Sequence, residues 1–109
     1  MPGFGHTLAT VQGPALFALG QAGYALRTDE ALVLIDPWLS TLLERTAGIT
    51  RPAAPALRPE EVEAVDLVCV THPHEDHLDA ETLAAIAANV PAARFVAPAP
   101  DVHTVAARR

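Results

Sequence analysis

Hydrophobic residues in the first third of the chain form short runs that are separated by turn residues. Runs of strand length cover residues 15–19, 24–27 and 31–35, with glycines and the segment Thr28-Asp29-Glu30 between them. Short apolar runs bounded by glycine and small polar residues are typical of β-strands joined by tight turns. This part of the chain therefore predicts three sequential strands, a β-meander.

The second half alternates between strand-like and helix-like patterns. An apolar, partly β-branched run at Leu67–Thr71 predicts a buried strand, and Arg94–Ala97 predicts another. Between them, Asp79 suits a helix N-cap, and apolar residues follow at helical spacing. These residues are Leu83, Ile86, Ala87 and Val90. Short helices are also predicted at 59–61 and 100–109. The order strand, helix, strand favours parallel pairing with a right-handed crossover and an α/β fold.

The segment between these halves, residues 37–58, contains three prolines and a glycine, which exclude a long regular element. Only Thr41–Arg45 suits a helical turn. We expect this loop to shape one wall of a substrate site. Its arginines, Arg45, Arg51 and Arg58, would either meet an anionic substrate or lie solvated on the surface, and the surface position is the expectation.

Composition excludes several classes of function. Half of the residues are hydrophobic and the mean hydropathy is +0.24, which supports a packed core and excludes a disordered chain. The net charge of −6 disfavours binding to nucleic acid, which requires basic side chains. No stretch reaches the ~18 apolar residues of a membrane span, and the first residues lack a signal-peptide pattern, so a cytoplasmic protein is predicted. The single cysteine, Cys69, is predicted to be a buried small hydrophobe.

Three of the five histidines and several carboxylates lie together directly after the Leu67 strand. The segment runs Thr71-His72-Pro73-His74-Glu75-Asp76-His77-Leu78-Asp79. Alternate residues of an extended chain point the same way, so His72 and His74 would hold one ion together. Asp76 and His77 would offer an oxygen and a nitrogen to a second ion, and this mixed donor set suits zinc or manganese. Glu75 would then point away.

A solvated polar turn is the alternative explanation of this cluster. Four potential ligands at this spacing, directly after a strand, favour the metal site. The other two histidines receive the opposite interpretation. His6 lies in an amino-terminal stretch that we expect to be flexible, and His103 lies on a predicted helix, so both are expected on the surface.

The pattern His72-x-His74-x-Asp76-His77 resembles the signature of the metallo-β-lactamase fold superfamily. The strand that ends at Asp36-Pro37 resembles an earlier motif of the same family. The resemblance implies an αββα sandwich in which one or two divalent metals activate water. It also implies that Asp36 lies beneath the metal site and orients the ligands without binding metal, and that Asp76, closest to the water, acts as the catalytic proton acceptor.

Three further segments, 20–24, 36–40 and 77–79, resemble the branch that contains ascorbate-6-phosphate lactonase and the N-acyl-phosphatidylethanolamine phospholipase D relatives. The branch implies a lactonase-like hydrolase with a small-molecule substrate, for which an anion is a candidate. Two alternatives stay open. One is a noncatalytic metal-binding remnant or module, and the other is a phosphodiesterase or nuclease of the same superfamily.

Length limits how much of such a fold this sequence can contain. A two-sheet sandwich commonly needs roughly 200–250 residues, whereas this sequence has 109. The resemblance implies that residues 1–109 form the amino-terminal half of the sandwich, and that the remaining metal ligands follow the matched region. We therefore expect an incomplete site and an uncovered apolar sheet face. A homo-oligomer or a complementary half-chain would cover that face.

Overall fold

Five strands form one sheet, and helices cover one of its faces. The structure is a computed structural model that describes residues 3–49, 51, 54–74, 76–102 and 104–105. The strands are β1 Ala15–Gly20, β2 Gly23–Arg27, β3 Leu32–Ile35, β4 Leu67–Cys69 and β5 Arg94–Val96. The α-helices are α1 Phe4–Thr10, α2 Leu42–Ala47 and α3 Ala80–Asn89, and short 3-10 helices cover Pro59–Glu61 and Ala99–Asp101.

The sheet is antiparallel on one side and parallel on the other. Its strand order is β1-β2-β3-β4-β5; β1, β2 and β3 pair antiparallel, and β3, β4 and β5 pair parallel. The predicted meander, the parallel strand-helix-strand unit and the α/β class are therefore confirmed. Strand β4 ends at Cys69, earlier than predicted, although Val70 N still donates to Val96 O of β5 at 2.8 Å.

The amino-terminal stretch is helical, so the expectation of a flexible segment was wrong. Helix α1 buries Leu8, and the ring of Phe4 packs edge-on against Phe17 of β1 with 5.6 Å between centroids. Arg27 donates to the carbonyls of Leu8 and Ala9, which lack partners within the helix. Tertiary contacts therefore stabilise a helix that is too short to be stable alone.

The close approach of α1 to the first 3-10 helix depends on Gly5. A Cβ atom at this position would lie 1.8 Å from the carbonyl oxygen of Glu61, so no other residue fits. His6 is exposed on α1, as predicted, and its Nδ1 lies 3.3 Å from the carboxylate of Glu63.

The carboxyl-terminal helix is described only in part. It begins as the 3-10 helix Ala99–Asp101, and helical backbone continues at Val102, Thr104 and Val105. His103 and residues 106–109 of the predicted helix lie outside the described residues.

The covered face of the sheet forms the core. One row of paired residues crosses all five strands on this face: Phe17, Ala25, Leu34, Val68 and Phe95. Leu83 and Ile86 of α3 are fully buried in the same cluster, which confirms the predicted apolar side of that helix. The cap at Asp79 is also confirmed, because its side chain accepts from Glu81 N and Thr82 N. Within the described ranges, no helix is long and apolar enough to cross a membrane.

The other face of the sheet is apolar and largely uncovered. Two rows of paired residues cross it: Leu16, Leu26, Val33, Leu67 and Arg94, and Ala18, Tyr24, Ile35, Cys69 and Val96. Leu16 is 65% exposed and Val96 is 49% exposed, and the central residues of both rows are half-buried. We call these two rows the open face. Exposed apolar surface of this kind is common at sites where proteins associate.

We predict that the chain associates with itself as its concentration rises, and that Leu16→Thr weakens the association about tenfold because it removes one exposed leucine from the open face. Sedimentation across a concentration series, together with a dye that reports apolar surface, measures this. Ile49→Thr is the matched control, since Ile49 is 49% exposed but lies outside the sheet. A monomer that does not bind the dye at any concentration would contradict the prediction.

Candidate metal site

The parallel pairing of β3 and β4 brings two predicted motifs side by side. Ile35 is paired with Cys69, so Asp36 and the residues after Cys69 leave the same edge of the sheet together. Asp36 N donates to Cys69 O at 2.8 Å, which continues the pairing beyond the strand. Carboxyl ends of parallel strands are where open α/β sheets place their sites.

Asp36 is the central acceptor at this edge. Its buried carboxylate, 4% exposed, accepts from Thr71 N at 2.7 Å, Thr71 Oγ1 at 2.6 Å and His77 Nδ1 at 2.8 Å. Its backbone has a φ of +47°, a left-handed conformation that aspartate adopts more readily than most residues. Asp36 therefore joins the end of β3 to both ends of the histidine segment.

These contacts indicate which ring nitrogen of His77 and of His72 is available to bind an ion. A carboxylate only accepts hydrogen bonds, so His77 carries its proton on Nδ1 and leaves Nε2 free for an ion. Thr71 Oγ1 donates its own proton to Asp36, so His72 Nδ1, 2.9 Å from this oxygen, is the donor and His72 Nε2 is left for an ion. The His72 ring centroid lies 3.9 Å from that of His77 and 4.8 Å from that of His74. The three imidazoles that the sequence singled out therefore meet at one place.

A tight turn carries the remaining predicted ligand. The amides of His77 and Leu78 both donate to His74 O, at 2.8 and 2.7 Å. Asp76, within this turn, places Oδ2 3.6 Å from His77 Nε2. Glu75, which was expected to point away, lies outside the described residues.

The structure thus gathers side chains whose chemistry fits a divalent metal. Ligand atoms of Asp36, His72 and His77 all lie within 4.8 Å of one another, with His74 and Asp76 beside them. Imidazole nitrogen combined with carboxylate oxygen is the donor set of zinc and of related transition metals. The role of Thr71 was missed by the sequence analysis, because its partner Asp36 lies 35 residues away along the chain.

Arg51 is not the solvated surface arginine that was expected. Its guanidinium lies 4.2 Å from the centre of the Trp38 ring and donates to the carbonyls of Trp38 and Ser40. Burial lowers the pKa of Arg51, although the carboxylates of Glu44 and Asp79 act in the opposite direction. Arg51 therefore packs against the loop that follows Asp36 and stabilises it.

The other two loop arginines are exposed, as expected, and have acidic partners. Arg45 pairs with Glu81, and Arg58 lies 3.8 Å from the carboxylate of Glu60 and 3.5 Å from that of Glu61. Exposed pairs of this kind contribute little stability, but they neutralise charge locally.

A cleft of about 400 Å³ borders the histidine segment at Pro73. Leu42, Leu43 and Thr46 of α2 form one side, and Leu78 and Thr104 line the cleft as well. Among the residues that the structure describes, the lining includes no basic side chain and one acidic side chain, that of Asp79. Residues of the segment between β3 and β4 thus line this cleft together with the histidine segment, and the role of residues 37–58 as a wall of a substrate site stays a prediction.

Cys69 lies on the open face and is half-buried, which is less buried than predicted. Burial, assisted by the nearby carboxylate of Asp36, raises the pKa of the Cys69 thiol. The side chain therefore remains a neutral thiol at neutral pH, in keeping with its predicted role as a small hydrophobe.

Comparison with known proteins agrees with this geometry. Residues 32–109 match the sequence model of a family described as a β-lactamase superfamily domain. The chain belongs to the β-lactamase superfamily. The superfamily predicted from His72-x-His74-x-Asp76-His77 is thereby confirmed.

Relatives in this superfamily are named as metal-dependent hydrolases. A UPF0173 metal-dependent hydrolase of Aeropyrum pernix is 40% identical over 79 residues, which cover 72% of this chain and 27% of the relative. A UPF0173 metal-dependent hydrolase of Polynucleobacter asymbioticus is 39% identical over 74 residues, 63% of this chain and 23% of the relative. The chain thus spans about a quarter of the length of these relatives.

A solved structure shares the fold. The crystal structure of an isothiocyanate hydrolase from Delia radicum gut bacteria superposes with a TM-score of 0.61 and 27% sequence identity. The similarity covers 85% of this chain and 37% of that protein. The sheet and its helices are therefore an arrangement found in hydrolases of this superfamily.

We predict that Asp36→Asn destabilises the metal-free chain by about 1–3 kcal/mol, because an amide oxygen cannot replace both carboxylate oxygens toward three donors. Urea unfolding in the presence of a chelator measures the loss. Asp29→Asn, in the exposed β2–β3 turn, is the control and should change stability by less than about 0.5 kcal/mol. Equal stability of both variants would show that the Asp36 contacts contribute nothing to the fold.

Proposed function

We propose that this chain carries part of the active site of a metal-dependent, lactonase-like hydrolase. The observation that supports this proposal is the convergence of three imidazoles and two carboxylates at the carboxyl ends of parallel strands. The names of the relatives as metal-dependent hydrolases support the reaction class. Zinc or manganese is the proposed metal, since both accept mixed nitrogen and oxygen donors.

In the proposed site, His72 and His74 hold the first ion, and Asp76 and His77 hold the second. Divalent metals bound in such sites would lower the pKa of water to about 7 and polarise the bond under attack. Asp36 keeps His77 in the tautomer with the proton on Nδ1, which leaves Nε2 for the ion. Asp76, half exposed at the turn, is the proposed catalytic proton acceptor.

The substrate is proposed to be a small molecule that meets the metal from the side of the α2 cleft. An anionic substrate, which the sequence suggested, receives less support from the structure. Arg51 packs against Trp38, and Arg45 and Arg58 already have acidic partners. The described lining of the cleft combines apolar side chains with Asp79 and two threonines, and this lining favours a lactone, an uncharged ester, over an anion.

We further propose that residues outside this sequence complete the site. The chain covers about a quarter of its curated relatives, and the two proposed half-sites hold two ligands each, whereas zinc commonly takes four. A noncatalytic metal-binding module is the second candidate. A nuclease or phosphodiesterase is less well supported, because the net charge of −6 opposes binding to phosphate backbones.

A cytoplasmic location remains a prediction. Coverage of the open face by a second copy or a complementary half-chain is also still a prediction.

The proposed site predicts weak binding of zinc or manganese by the purified chain, because each half-site lacks some of its ligands. Isothermal titration should show that His72→Ala combined with His74→Ala weakens the binding at least tenfold. His6→Ala is the matched control, since this exposed histidine lies on α1 outside the cluster. Unchanged binding by the double variant would show that the site is assigned to the wrong residues.

The purified chain alone should hydrolyse lactones or phosphodiesters at a negligible rate. Metals held by half of their ligands do not have the fixed geometry that places water against a substrate. Turnover of a lactone by the wild-type chain and by Asp76→Asn, each with added zinc or manganese, provides the measurement. Robust turnover that Asp76→Asn abolishes would overturn the prediction and show that the site is complete.

A further inference from the structure

Asp79 is a buried carboxylate with more hydrogen bonds than a helix cap requires. It is 2% exposed, and its two oxygens share Ser40 Oγ as a donor but otherwise accept from different groups. Oδ1 accepts from Glu81 N at 3.2 Å and Thr82 N at 3.5 Å, which are the capping bonds of α3. Oδ2 accepts from Ser40 N at 3.0 Å, Ser40 Oγ at 2.7 Å and Thr82 Oγ1 at 2.7 Å. The shortest bonds of Asp79 are therefore those to the hydroxyls of Ser40 and Thr82, and the bonds to the helix amides are longer.

The partners of Oδ2 connect α3 to the loop that follows Asp36. Ser40 lies in that loop, and Ser40 Oγ also contacts Oδ1 at 2.8 Å. The neighbouring amide, Leu39 N, donates to Thr82 Oγ1 at 3.1 Å. A buried network thus links residues 39 and 40 to residues 79 and 82, and each hydroxyl in it has partners. We call this network the Asp79 clamp.

A cap alone does not account for a carboxylate at this position. Serine, threonine or asparagine would supply the one acceptor that the start of a helix needs. Burial of a charged carboxylate is costly unless donors surround it, and here most of the donors come from outside the capping interaction. Oδ2 of Asp79 therefore stabilises the contact between the histidine segment and the loop that contains Ser40.

The clamp is the second of two connections between the same loops. The first joins Asp36 to Thr71 and His77 at the proposed metal site. Asp79 lies two residues beyond His77, and Ser40 lies four residues beyond Asp36. The Asp36 bonds hold the histidine segment at Thr71 and His77, and the clamp holds the residues that follow it.

We propose that Asp79 is a positioning residue of the metal site, acting through Ser40 to hold the histidine segment against the loop that carries Asp36. The inference rests on the proposed function, because it assigns Asp79 a part in metal binding. The clamp acts on His77 through the backbone and through the Asp36–His77 hydrogen bond, and Asp79 itself binds no metal.

The test separates the clamp from the cap with Ser40→Ala, which removes the loop hydroxyl and leaves both capping bonds in place. Cobalt(II) titration of the purified chain, followed by visible absorption, reports affinity and ligand geometry. Nitrogen NMR of the His77 ring in the metal-free chain reports the Asp36 contact directly. We expect Ser40→Ala to weaken cobalt binding about tenfold and to alter both the spectrum and the His77 resonance, while circular dichroism stays unchanged.

Two further variants serve as controls. Ser40→Thr retains a hydroxyl and should restore most of the affinity. Thr28→Ala removes a hydroxyl that accepts from Glu30 N and Ala31 N in the β2–β3 turn, remote in the fold from the histidine segment, and should leave cobalt binding unchanged. Ser40 Oγ also accepts from Leu42 N, so Ser40→Ala changes one further bond. If Ser40→Ala does not fold, Thr82→Val removes the other hydroxyl of the clamp and serves as the test.

If Ser40→Ala and Thr82→Val both keep the wild-type affinity, spectrum and His77 resonance, Asp79 acts only as a helix cap. That result would overturn the proposal. Absence of cobalt binding by the wild-type chain would instead contradict the proposed function. In that case the His77 resonance of the metal-free variants still decides whether the clamp positions this ring.

Discussion

The hydrogen bonds of Asp36 are the interaction on which the candidate site depends. Each oxygen of a buried carboxylate must be matched with donors, and here the donors come from a segment 35 to 41 residues away along the chain. Because Thr71 and His77 satisfy one side chain, the strand end, the turn and the imidazole ring hold one another in place. The same bonds leave Nε2 of His77 available, so the stability of the fold and the chemistry of the site share these contacts.

Much of the fold follows from local pattern. The meander and the strand-helix-strand unit were predictable because apolar periodicity, turn residues and the Asp79 cap all agree in those segments. Helix α1 was not predictable, since its sequence includes glycine and threonine and its stability comes from Phe17, Arg27 and the space beside Gly5. Local propensity carries no information about such distant partners.

Some residues of the candidate site could likewise be predicted from the sequence, and others could not. The histidine motif was visible because its residues are adjacent in sequence, and its place at a strand end followed from the apolar run before it. The roles of Thr71 and Ser40 were not visible, because each depends on a partner that pairing of β3 with β4 brings near. Arg51 was misplaced for a related reason, since a sequence gives no sign that a loop arginine will stack on a tryptophan 13 residues earlier.

The division of the sheet into an antiparallel and a parallel part has a consequence for the order of folding. The meander closes through short turns, so its strands meet quickly and at small entropic cost. Pairing of β3 with β4 must close a loop of about 30 residues, and contacts so distant in sequence form more slowly. The histidine segment is positioned only by that later pairing. The histidine segment therefore reaches its final position after the strands of the meander have paired.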